Sequence, residues 1–520
     1  MGLGVLPDRH LADVPGTSFL NEKGVTSSLE DPKENSHANL KHDPTGKIVL
    51  VPQPSDDPND PLNWPRWKKE MFTVSIIVGC GCVGAIGPLL GPALVPIAEE
   101  FDVPLQRFSL GFTGSLLIAL AFGNLFCNSL AMMIGKRPVY LITTLGLLCS
   151  TIWTAVAKDF ISLALSRAIQ GFCMSPMEAL VPASISDICL PPAGAIIDKY
   201  GYKTCLWAMA GAFGLQLVLT FFFMPETAYK RSIPSDVPVD SHVEGRSAVD
   251  DKKECVSQVE NSGSVCDNAP IPEAHSFIYT LRPWSGYYDA SGFWYSMFAP
   301  FKMLGSPVVI WGCFQLTICM SWLVLLASTA SQIFTAAPYN FTVAQVGLTN
   351  LSSFVGTFIA TALAGLMVDG LATFMARRNE GIYEPEFRLP ILVLLTTLGG
   401  SGFFGYGQSL SNGEPWPIPV IVCLGMINLG IQFGIVGLVS YVVDSHRREA
   451  VEAYAMMSFT KNVFAFGMSF YMNDWIEYQG VRDAFFVIGG ITMALSLATI
   501  PMYIYGKRAR SLAFRHGFLQ

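Results

Sequence analysis

Eleven apolar runs dominate this chain, near 71–96, 109–131, 138–157, 163–185, 203–223, 306–333, 346–370, 389–408, 417–440, 453–473 and 484–505. Most are about 20 residues long, the length at which a helix crosses a hydrocarbon core of ~30 Å. Lipid offers no partner to backbone amides, so segments of this kind must satisfy them internally as helices. Charged residues make up only 14% of the 520 positions and mean hydropathy is +0.41, whereas soluble domains carry about 25% charge. The reading is an all-α polytopic membrane protein embedded in a lipid bilayer. The net charge of −7 contains no basic excess, so no nucleic-acid partner is expected. Most of the twelve cysteines lie in apolar runs, where Cys packs as a small hydrophobe. Cys80 and Cys82 lack companion ligands, and neither a metal nor a cofactor is expected.

Residues 1–70 form a polar, Pro-rich tail that cannot bury a core and reads as disordered. It lacks the basic and apolar regions of a signal peptide, and the myristoylation pattern fails for want of Ser or Thr at position six. The tail ends in DPNDPLNWPRWKK, whose Trp64, Trp67, Lys68 and Lys69 suit an interface anchor. A first membrane half is expected over 71–224, a hydrophilic linker over 225–305, a second half over 306–506 and a tail over 507–520. The linker begins as a disordered stretch and ends aromatic-rich, Phe277 to Lys302, as if lying along the interface.

Basic residues fall in alternate loops: Lys136 and Arg137; Arg377, Arg378 and Arg388; Arg447 and Arg448; and Lys507 to Arg515. By the positive-inside tendency, both termini and the linker are cytoplasmic. Five spans before the linker conflict with that, because an even number is needed. The apolar patch at 188–197 is only about ten residues, too short to cross as a full helix.

Two loops carry a signature. NSLAMMIGKRPVYL contains Leu130, Ala131, Gly135, Lys136 and Arg137, and GLMVDG with Asp369, followed by Arg377 and Arg378, repeats it in the second half. SRAIQGF adds Arg167, Gln170 and Gly171. These strings resemble the signature loop and the fourth-helix R-x-x-Q-G motif of the major facilitator superfamily. Met132 stands where that family carries an acid. DPNDPLNWPRW, SPMEALVPASISD, MPETAY, GIYEPEFRLP and SFTKNVFAFGMSFYMNDW are similar to its fungal drug:proton antiporter-like branch. The resemblance implies a two-half helical bundle of twelve helices, of which eleven are clear and the fifth is reduced to the remnant at 188–197. It further implies a secondary transporter rather than an enzyme.

Charges inside a span cost roughly 2.5–3.5 kcal/mol each on insertion scales, so polar residues there are candidates for substrate or proton handling. They are Asn124, Asn128, Arg167, Gln170, Glu178, Gln315, Asn428, Gln432, Lys461 and Asn462. Arg167, Gln170, Met174 and Glu178 share a helix face. Glu178 is the first choice for the proton site, with Lys461 as its electrostatic counterpart. Asn340 and Asn350 begin N-x-[ST] acceptors for glycosylation. No phosphate-binding GK[ST] loop is present to couple ATP. Three outcomes stay open: a plasma-membrane, proton-coupled exporter of a small organic compound, acting as a monomer; an importer of small, polyamine-like organic cations; or a non-transporting membrane protein left defective by the lost helix.

Overall fold

A computed structural model describes residues 63–179, 202–227 and 292–516, interrupted at 88–89, 380 and 448, with pieces of 3–19, 57–60 and 279–287. The patch at 188–197 and most of the linker lie outside the described residues.

The chain is a helical bundle. In order come α1 (Arg66–Ile86), a short turn and α2 (Leu94–Glu100), α3 (Leu105–Ile134), α4 (Lys136–Val156), α5 (Phe160–Ala179) and α6 (Tyr202–Phe223). After the linker follow α7 (Phe293–Lys302), α8 (Pro307–Thr335), α9 (Val343–Arg378), α10 (Pro385–Ser411), α11 (Ile418–Ser445), α12 (Ala450–Ser469), α13 (Met472–Gln479) and α14 (Val481–Arg515). Among the described residues, nine helices have the length and hydropathy to cross a membrane, with α1 and α2 read as one. The other two spans expected from sequence, α5 and α12, are each 20 residues long. Arg167, Gln170 and Glu178 dilute the hydropathy of the first, and Lys461, Asn462 and Glu452 that of the second. The helices least like lipid therefore carry the ionic residues.

Two separate cores define two halves. One gathers Val83, Phe108, Leu116, Met177 and Phe213, the other Val308, Leu325, Phe403, Leu438 and Phe485. The halves meet along α3 against α12, α5 against α12, and α8 against the turn before α2. Gly91 and Gly114 permit the close approaches. A Cβ on Gly91 would lie 3.0 Å from the Ala327 carbonyl oxygen, and one on Gly114 2.8 Å from Ser469 Oγ. Gln106 Nε2 donates to the Ser469 carbonyl (2.8 Å) and Ser331 Oγ to that of Pro92 (3.1 Å), fastening the halves at the face opposite the basic loops.

The parity conflict is visible in the direction of the helices. α5 starts beside α3's first turns, with Phe160 against Phe108 at 5.7 Å between ring centroids. α6 starts on that same face, where Lys203 lies 3.8 Å from Glu100. It ends on the basic-loop face, where Arg137 Nη2 donates to the Phe221 carbonyl at 2.8 Å. Consecutive described helices thus run the same way.

At the N-terminus, residues expected to remain loose make contacts. Val5 and Val14 are buried, and Ser18–Phe19 pair antiparallel with Ile382–Tyr383. The site of this packing is the basic-loop face of the second half.

Candidate functional site

The two halves present their polar residues to each other at the centre of the α3–α5–α12 seam. α5 contributes Glu178, α3 Asn124, and α12 Lys461 and Asn462. Lys461 Nζ forms an ion pair with Glu178 Oε1. Glu178 Oε2 accepts from Asn462 Nδ2 (3.1 Å) and Asn124 Nδ2 (3.2 Å). Lys461 also donates to Asn462 Oδ1 at 3.1 Å, and Ser321 Oγ on α8 donates to the Lys461 backbone carbonyl at 3.3 Å. Both amides are buried, and the ionic side chains are 16% and 11% exposed. A carboxylate with two amide donors and an ammonium is a nearly saturated acceptor. Removing either charge would strand the other in a medium that stabilises it poorly. The cation and the anion belong to different halves, so whatever neutralises one weakens the bond between halves.

Further buried polar atoms in the helices lack a partner: among the described residues, Asn124 Oδ1, both amide atoms of Asn128, Ser458 Oγ, Gln315 Nε2 and the indole nitrogens of Trp311 and Trp322 have no hydrogen bond. Buried polar groups are normally satisfied, so these are places where a polar guest finds ready partners.

Arg167 lies apart, toward the end of α1. Its Nη1 donates to Gln170 Oε1 at 2.6 Å, and its guanidinium reaches the carbonyls of Ile86 and Gly87 at 3.4 Å. It also sits over the Phe112 ring at 4.2 Å. Gln170 Nε2 donates to Thr151 Oγ1 on α4 at 2.8 Å. The motif thus ties α1, α3, α4 and α5 together. Gly171 allows it, because a Cβ there would run into the Leu116 backbone of α3.

Asn428 and Gln432 are not at the central cluster. Their amide nitrogens donate to Ser353 and Thr361 on α9, each at 3.0 Å, and hold α11 to α9. Interhelical hydrogen bonds of this sort are worth about 0.6–2 kcal/mol in membranes.

The signature loops bring in residues the sequence reading quoted without a role. Gly135 has φ +95°, which lets the chain turn sharply into α4. Glu226, from MPETAY, then caps that helix: Oε1 and Oε2 accept from the backbone nitrogens of Lys136 (3.0 Å) and Arg137 (3.1 Å). A carboxylate at a helix N-terminus is electrostatically favoured. In the second copy, Asp369 pairs with Arg388 at 3.1 Å. The acid is 71% exposed, so that pair contributes little. Arg388 is held more firmly by Asp444 (Nε to Oδ2, 2.7 Å), to which Tyr383 Oη also donates at 2.6 Å. An acid 75 residues downstream of its signature loop leaves no local pattern to find.

Two helical halves that meet over a shared ionic cluster have the architecture of a membrane carrier. The Major Facilitator Superfamily model matches residues 74–193 and 188–469, and the chain belongs to that family. It is 26% identical to an uncharacterized MFS-type transporter of Schizosaccharomyces pombe, covering 97% of this chain and 94% of the relative. It is 22% identical to the cycloheximide resistance protein of Candida maltosa, covering 98% and 93%. Among solved structures, the proton:xylose symporter XylE aligns with a TM-score of 0.52 at 14% identity, over 85% of this chain and 96% of that one. The alignment with the S. pombe protein runs over 558 positions, more than the 520 residues here, so the relative carries residues that this chain lacks. The protein is a secondary transporter of the membrane, not an enzyme.

Proposed function

We propose that the protein is a proton-coupled exporter of a small organic compound, working as a monomer in the plasma membrane. The observation that carries this reading is the pairing of Glu178 with Lys461 across the halves. Protonating Glu178 cancels the attraction and leaves Lys461 with Asn462 alone, so the halves are free to separate. A cationic or strongly polar guest does the same by competing for the carboxylate. Proton and substrate thus share one acceptor, which is the condition for exchange of one against the other. The resistance function in the name of the C. maltosa relative favours export over import.

The test uses the purified protein in vesicles with an imposed pH gradient. Movement of a lipophilic organic cation against its concentration is expected to follow the proton gradient and to stop with a protonophore. Flux indifferent to both would overturn proton coupling. No movement of any of a panel of organic cations and neutral drugs by correctly inserted protein would point to a chain that does not transport.

Asn340 is proposed as the glycosylated position. It is exposed at a turn on the face opposite the basic loops, whereas Asn350 is half-buried inside α9. In a eukaryotic host, Asn340→Gln is expected to abolish a glycosidase-sensitive mobility shift and Asn350→Gln to leave it unchanged. A shift surviving the first substitution would refute the assignment.

A further inference from the structure

The described residues between 3 and 19 do not merely lie near the second half; they occupy it. Val5 is 6% exposed, packed with Ala372 and Ala376 of α9, Phe387 of α10 and Tyr503 of α14. The backbone around it is hydrogen-bonded: Leu6 N donates to the Ile504 carbonyl at 3.0 Å and Tyr503 Oη to the Leu3 carbonyl at 2.7 Å. Arg508 Nε donates to the Pro7 carbonyl at 3.2 Å, and Ser511 Oγ to Asp8 Oδ2 at 2.6 Å. Farther along, Thr17 Oγ1 donates to Glu384 Oε2 at 2.9 Å, and Ser18–Phe19 add a strand to Ile382–Tyr383. Between these, Gly16 adopts φ +91° and fits where a Cβ would stand 2.9 Å from the Asp444 carbonyl oxygen and 3.0 Å from Arg510 Nη1. Apolar anchor, backbone pairing, charged contact and a glycine that only just fits are four independent marks of a seated peptide.

We infer that the N-terminal segment is a strap that docks on the basic-loop face of the second half and holds the ends of α9, α10, α11 and α14 as one body. Beneath it lies an ion cluster. Arg510 bridges Glu384 and Glu386 at 3.0 and 2.8 Å, and Lys507 also pairs with Glu384. Glu384, Glu386 and Arg510 are 3%, 0% and 1% exposed. Exclusion of water strengthens such a cluster. Because carriers of this kind work by rocking one bundle against the other, four helix ends locked together transmit motion that loose ends would absorb. The strap is not a leash between halves. Residues 20–65 separate it from α1, and 46 residues reach up to about 150 Å when extended, far more than any opening requires.

Deuterium exchange on the full-length protein in detergent or nanodiscs tests this, comparing the native chain with Gly16→Val, Val5→Asp and a form lacking residues 2–19. Backbone amides of 382–388 and 503–511 are expected to exchange at least tenfold faster in all three variants, while α3 and α4 stay unchanged. A synthetic peptide of residues 3–19, added to the shortened form, is expected to restore protection. The same peptide carrying Val5→Asp is not. If the shortened form does not accumulate, the two point variants decide alone. Unchanged exchange in Gly16→Val and Val5→Asp, or protection by both peptides alike, would overturn the strap.

Discussion

Glu178→Gln is expected to abolish proton-driven transport while leaving a folded, membrane-inserted protein. Glutamine keeps the shape of the side chain and one acceptor oxygen, which can serve either Lys461 or the pair Asn462 and Asn124, since these donate to different oxygens of Glu178. What it loses is the charge. A hydrogen bond to a charged group is worth about 1.5–3 kcal/mol, so loss of this one changes rates by about 10–100-fold. The predicted signature is a split: uphill, pH-driven movement falls to background, whereas downhill exchange of substrate for substrate persists. Both single substitutions leave a partly buried charge without its counter-charge, but Lys461→Met should cost more stability, because methionine keeps no hydrogen bond whereas glutamine can still accept one. Lys461→Met strands a partly buried carboxylate, and breaking a buried pair from one side costs about 3–5 kcal/mol, so this variant should lose thermal stability as well as flux. The double variant Glu178→Gln with Lys461→Met should recover most of the lost stability and none of the coupling. Uphill flux in Glu178→Gln equal to that of the native protein would remove Glu178 from the mechanism.

Arg510→Met is expected to give the largest loss of stability of any single substitution on the basic-loop face. The arginine is 1% exposed and serves two carboxylates, one of which, Glu386, is 0% exposed. Removal leaves Lys507 to neutralise Glu384 and nothing to neutralise Glu386 among its described ion pairs. The cost should fall near 3–5 kcal/mol, read as a lower unfolding temperature and as aggregation on size-exclusion chromatography. Adding Glu386→Gln to Arg510→Met should return more than half of that loss, because the uncompensated charge disappears. Since contacting residues do not act additively, this non-additivity is the diagnostic result. Equal stability of Arg510→Met and the native protein would mean that the cluster is solvated and contributes little.

The helical bundle was legible because lipid imposes one length and one periodicity on every span. The pairing of α5 with α12 was legible in part, since a glutamate in one half and a lysine in the other are costly alone and cheap together. Arg167 was legible as a motif residue and a candidate for substrate or proton handling that must avoid lipid; its bonds to the Ile86 and Gly87 carbonyls depend on how α1 ends. Glu226, Asp444 and Glu386 were missed for a physical reason. They sit at helix ends, where carboxylates are unremarkable, and their partners are brought in by topology from 61 to 124 residues away. The N-terminal strap was misread because composition judges whether a segment can build its own core. Val5 instead borrows one already made by α9, α10 and α14.

The ion pair at the seam also has a history in time. Glu178 and Lys461 are separated by 283 residues, while Asn124 precedes Glu178 by 54. At synthesis rates of ~5–20 residues per second, ~15–60 s elapse before the lysine emerges. During that interval the nascent first half holds a carboxyl in the membrane with one amide for company, and it is completed only by the chain's final quarter. Any arrest of translation before α12 therefore leaves a product with its least lipid-compatible helix unpaired, a natural substrate for quality control in the membrane where it is made.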